Sequence, residues 1–137
     1  LASLAFLPGL RDAWMPASPP AYSGNTPFKA AAWLNDHPEV SGKLWTELAF
    51  SSYLAFATPQ RPLWVYPRME TFPVEQWQRY LLINSAAPGW EEALKEEGVC
   101  LLVADRNGQD QLVAALGRSA TWRLVYSDDI AQISTCK

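Results

Sequence analysis

Four side chains in this 137-residue chain stand where they could do chemistry: Glu47, Arg68, Glu70 and Asp105. Glu47 and Asp105 close short apolar runs, at the kind of strand end where α/β proteins gather ligand-binding groups. Two carboxylates facing each other across several ångströms would make a general acid and base, as glycoside hydrolysis requires. Arg68 offers a structural alternative, an ion pair with Glu47 or Glu70 that ties loops together.

The remaining kits are absent or bland. His37 is the only histidine and lies in Asn35-Asp36-His37-Pro38, a helix exit where an imidazole caps carbonyls or faces water. No Gly-x-Ser-x-Gly occurs, and neither glycine-rich phosphate loop occurs. Asp105-Arg106-Asn107-Gly108 is a strand-to-helix turn that needs no ligand to explain it. Asp128-Asp129 reads as a tight turn, not a metal site. Cys100 and Cys136 lack zinc-ligand spacing. Cys100, in an apolar run, reads first as a small buried side chain, and a Cys100–Cys136 disulfide is the alternative for a chain outside the cytoplasm. No cofactor or metal is expected.

Those residues need a scaffold, and the sequence describes one. Apolar runs at 63–66, 99–104 and 122–126 alternate with helix-like segments. Buried strands covered by crossover helices have this cadence. Strands are expected at 43–47, 63–66, 99–104, 122–127 and 130–135, and helices over 27–34, 49–57, 73–83, 90–97 and 110–116. Thr26 reads as an N-cap with Pro27 in the first turn, Asn107 and Asp110 as a weak capping box, and Gly98 as a left-handed helix stop. The expected fold is α/β, a mixed sheet of about five strands. The first three are parallel, a C-terminal antiparallel hairpin sits at an edge, and helices cover both faces.

Composition sets limits. A hydrophobic content of 49%, a net charge of −3 and a pI near 5.1 describe a chain rich in core material with no basic field for nucleic acid. Seven tryptophans suit either core packing or, if exposed, sugar stacking. Residues 1–7 are apolar but shorter than the roughly 20 residues a membrane span needs, and they lack a basic leader. Prolines 8, 16, 19, 20 and 27 make residues 8–27 a lead-in arm or linker. Residues 1–26 therefore read as an apolar stub and arm, and 27–137 as a single α/β domain. The leading Leu1 suggests an excised or processed piece.

Four segments carry a resemblance. Residues 42–56 form a strand-then-helix stretch; Arg61-Pro62-Leu63-Trp64-Val65-Tyr66-Pro67-Arg68 precedes Met69-Glu70-Thr71-Phe72; residues 90–103 and 122–129 each run from a tryptophan into an apolar strand. In this order they resemble the soluble C-terminal domain of bacterial polytopic membrane proteins related to dolichyl-phosphate-mannose-dependent mannosyltransferase-type glycosyltransferases. The similarity spans about residues 27–135. Ser51-Ser52 replace paired glycines, Tyr66 an aspartate and Pro67 a glycine, while Arg68 and Glu70 match. The resemblance implies that residues 1–10 end a membrane helix and that the domain sits on the extracytoplasmic side of the cell membrane. It also implies that the chemistry belongs to loops of the membrane part of the same polypeptide, which would be the domain's partner together with cell-envelope glycan or acceptor. The expected function is a non-catalytic accessory domain. The alternatives are a carbohydrate-binding module using exposed Trp and Tyr, and a small hydrolase or transferase using Glu47, Glu70 or Asp105.

Overall fold

The computed structural model describes residues 23–66 and 68–137. The expectations for residues 1–22, the apolar stub and most of the arm, lie outside the described residues.

Among the described residues, five α-helices and four strands follow one another: α1 Phe28–Asp36, β1 Lys43–Thr46, α2 Leu48–Ala57, α3 Val74–Asn84, α4 Trp90–Glu96, β2 Val99–Asp105, α5 Asp110–Arg118, β3 Trp122–Ser127 and β4 Ala131–Cys136. The strands form one mixed sheet in the order β1-β2-β4-β3. β1 and β2 are parallel, whereas β4 is antiparallel to both β2 and β3.

Alternation along the strands divides the core into two layers. Leu44, Leu101, Val103, Ala131 and Ile133 pack against Ala30, Ala31 and Leu34 of α1 and Phe50 and Leu54 of α2. Trp45, Leu102, Ala104 and Trp122 pack on the other side against Tyr80 and Ile83 of α3, Trp90 and Leu94 of α4, and Leu112 and Leu116 of α5. Helices therefore cover both faces, as a sheet with a buried parallel pair requires.

Two expectations about the sheet are corrected. It has four strands, and only one of its three strand pairs is parallel. Residues 63–66 make a single parallel bridge, Leu44 to Leu63. Leu44 N donates to the Pro62 carbonyl and Trp64 N to the Leu44 carbonyl, both at 2.8 Å. Pro62 and Pro67 have no amide hydrogen with which to extend a ladder, and the Trp64 carbonyl accepts instead from Gln76 Nε2 at 3.0 Å.

Local capping also departs in places. Thr26 does not cap α1; its hydroxyl donates to the Ser23 carbonyl at 2.9 Å, and Pro27 is the residue before the helix. The Asn107–Asp110 box does not form, and Gln109 precedes α5 without a side-chain cap. Gly98 has φ +67° after α4, the left-handed stop expected of it.

Cys100 and Cys136 are bonded, with Cα atoms 5.0 Å apart, across the ends of β2 and β4. Cys100 is solvent-exposed, which overturns its reading as a buried side chain. Among the described residues, no helix is long and apolar enough to cross a membrane.

Candidate functional site

The neighbouring strands β1 and β2 run parallel, and the chain leaves them toward opposite faces. After β1 it enters α2, packed on the Leu44/Leu101 side; after β2 it enters α5, packed on the Trp45/Leu102 side. In open α/β sheets such a divergence marks the position of the ligand crevice, at the carboxyl ends of the two strands. Glu47 is the first residue past β1 and Asp105 the last of β2, so the topology brings these two candidates to the crevice mouth.

Both carboxylates are already engaged. Glu47 Oε2 accepts from Ala49 N at 2.6 Å and Phe50 N at 3.2 Å, which makes it the N-cap of α2. Burial pushes its carboxyl above the ordinary value. The Ala49 and Phe50 amides pull the other way, and the nearby Asp105 charge adds to the rise. Asp105 is 7% exposed. Its Oδ2 accepts from Asn25 Nδ2 at 2.9 Å and its Oδ1 from Asn107 N at 2.8 Å. The loop wraps this carboxylate so closely that a Cβ on Gly108 would lie 2.9 Å from Oδ2.

The surroundings are polar and internally bonded. Asp105 N donates to Gln109 Oε1 at 2.8 Å, and Gln109 Nε2 donates to Asn84 Oδ1. Leu48 N donates to the Tyr80 hydroxyl at 3.1 Å, and burial raises that phenol above its ordinary value. Thr46, at the end of β1, is fully buried and its Oγ1 has no hydrogen-bond partner among the described residues. This arrangement holds loops and helix starts together. Freeing either carboxylate for proton transfer would leave main-chain or side-chain amides without an acceptor.

Arg68 and Glu70 do not join the crevice. They pair with each other at 3.7 Å, 80% and 71% exposed, around the 3-10 turn Met69–Thr71. Of the two ion pairs open to Arg68, the structure forms the one with Glu70. His37 stacks on Trp33 with ring centroids 4.0 Å apart, and its Nδ1 lies 2.8 Å from the Trp33 carbonyl, a helix-exit cap. None of the six described tryptophans is exposed: Trp45, Trp64, Trp90 and Trp122 are buried, Trp33 and Trp77 half-buried. The larger exposed aromatics are Phe28, Phe56 and Tyr66. Among the described residues, no group of three or more His, Cys, Asp and Glu side chains could hold a metal.

Sequence reasoning missed Arg61. Only 6% exposed, it donates to the carbonyls of Leu34, His37 and Val40, gathering the end of α1 and the following turn. Burial holds its guanidinium below the ordinary value, with Glu39 acting in the opposite sense. Nothing in Pro59-Gln60-Arg61-Pro62 marks that arginine as internal. Its carbonyl partners lie more than twenty positions upstream, and carbonyls leave no trace in side-chain sequence.

Ser51 is fully buried and its hydroxyl donates to the Leu48 carbonyl at 2.6 Å. No protein-family model matches the chain, and no curated protein matches it significantly.

Proposed function

We propose that this chain is a non-catalytic, extracytoplasmic accessory domain of a membrane-embedded, glycosyltransferase-like protein, packing on the membrane part of the same polypeptide or contacting envelope glycan or acceptor. The observation that carries the reading is the state of the crevice carboxylates. Glu47 caps a helix and Asp105 is wrapped by its own loop and Asn25, so both carboxylates serve as acceptors for the chain's own amides. The Cys100–Cys136 bond supports the extracytoplasmic side, because disulfides persist chiefly in oxidising compartments. The ordered resemblance of residues 27–135 supplies the membrane context and the class of the parent protein.

The test compares the isolated chain with its parent. The isolated chain is expected to neither cleave nor transfer sugar from lipid-linked or nucleotide-linked donors. In the parent, Glu47→Gln and Asp105→Asn are expected to alter stability more than turnover of properly folded protein. Sugar transfer or hydrolysis by the isolated chain, abolished by either substitution with the fold intact, would replace this reading with the two-carboxylate enzyme.

A further inference from the structure

A groove of about 660 Å³ runs beside the disulfide, lined among others by Lys95, Cys100, Trp122, Cys136 and Lys137. Cys100 is exposed and Cys136 half-buried, so the bond joins two residues outside the core, the more accessible of them Cys100. Around it the fold is otherwise complete: β2 and β4 are joined by five register pairs from Leu101–Thr135 to Asp105–Ala131. Breaking the bond therefore removes a fastener at a strand end and leaves the ladder in place. Exposed disulfides are the ones that undergo exchange, whereas buried ones resist it. Lys95 and Lys137 line the same groove, Lys137 Nζ donating to the Ser119 carbonyl at 3.5 Å, and cationic surroundings favour thiolate over thiol, both on an attacking group and on the sulfur that leaves. Glu91 and Glu92 line the same groove, and Glu91 is occupied by an acceptor bond from the Thr121 hydroxyl at 2.8 Å.

We infer that the Cys100–Cys136 bond and its groove form a thiol–disulfide exchange site for a dithiol oxidoreductase. The thiolate of the incoming dithiol attacks Cys100 Sγ, forming a mixed disulfide and expelling Cys136 as a thiolate in the groove that Lys95 and Lys137 line. The second thiol of the same partner, as thiolate, then attacks the partner's sulfur in the mixed disulfide. Cys100 leaves as a thiolate, the two cysteine thiolates take up the two protons released by the dithiol, and the partner departs as a disulfide. Two electrons pass to this chain. The inference does not depend on the accessory-domain reading, because it concerns only the bond and its surroundings.

The oxidised full chain should be mixed, without denaturant, with a reduced Cys-x-x-Cys oxidoreductase or with dithiothreitol at equal dithiol concentration. Acid quench, alkylation and mass measurement then follow reduction. The oxidoreductase is expected to be faster by about tenfold or more, as a seated thiolate would be. A partner lacking its resolving cysteine should be trapped on Cys100. Lys95→Glu is expected to slow the oxidoreductase several-fold with the circular dichroism spectrum unchanged. Because Trp122 lies across from Cys136 in the β3–β4 register, indole fluorescence gives a second record of bond opening in every variant. Reduction only after unfolding overturns the site. So does equal speed with both reductants, or trapping on Cys136.

Discussion

At the scale of single residues, the two carboxylates that invite a catalytic interpretation are better understood as acceptors for the chain's own amides. Glu47→Ala should cost about 1 kcal/mol, the usual loss when a capping side chain goes, measured by urea denaturation. A second acceptor governs the β3–β4 turn. Asp128 takes bonds from Ile130 N, Ala131 N and the Tyr126 hydroxyl, at 2.7, 2.8 and 2.7 Å. Burial pushes the Asp128 carboxyl up, but those three donors together with the Lys29 charge outweigh it and leave it below its ordinary 3.8. Its stabilising contribution is therefore complete above that value and disappears as pH falls through the folded one. Burial and the bond to Asp128 push Tyr126 up to about 12 from 10.0; its contribution is complete below 10.0 and disappears as pH rises through about 12. Asp128→Asn should cost about 1–2 kcal/mol at neutral pH and progressively less in acid. It should also return the Tyr126 phenolate absorbance step toward 10.0. The sequence did reveal which acids stand at strand ends. It did not reveal that backbone amides claim them first, because amides are the same at every position.

Among the elements, helix-forming stretches were the most legible, since α3, α4 and α5 carry apolar residues at helical spacing with Gly98 as punctuation. The run at 63–66 was misleading. Its side chains are those of a buried strand, and Leu63, Trp64 and Val65 are indeed buried. Burial, however, does not supply the donors that a ladder needs, and proline on either side withholds them. The end of α1 was the least legible. Arg61 donates to three carbonyls there; its removal takes that donor from the buried Leu34 carbonyl and the half-buried Val40 carbonyl, while the His37 carbonyl keeps its bond from Val40 N at 3.1 Å. Arg61→Ala should destabilise the chain by about 2–4 kcal/mol by denaturant titration, the range expected for several charged-donor bonds lost together. Lysine at the same position should recover only part of that, because a single ammonium cannot reproduce the planar fork. Asn25 fastens the segment before α1 to Asp105, so Asn25→Ala should speed amide exchange near Ser23–Thr26 with little change at β2.

For the whole molecule, two helical layers around one sheet made the architecture readable from the alternation of run types, while strand order was hidden. Nothing local says that β4, rather than β3, meets β2. The difference lies in burial: Ala131, Gln132, Ile133 and Ser134 are buried, whereas Arg123 and Leu124 of β3 are exposed, as suits an outer strand. The covalent link between β2 and β4 closes a 36-residue separation. Replacing both cysteines by serine should lower stability by about 2–4 kcal/mol, as cross-links of this loop size do, read from the thermal midpoint under oxidising conditions. The placement of β4 has a consequence for how the chain is made. β1 and β2 leave the ribosome well before the strand that joins β3 to them, so a nascent chain ending at Asp129 holds one half of a sheet and a stray ribbon. The sheet closes only once β4 has emerged, and a chain released short of that strand would be an unfinished, protease-sensitive product.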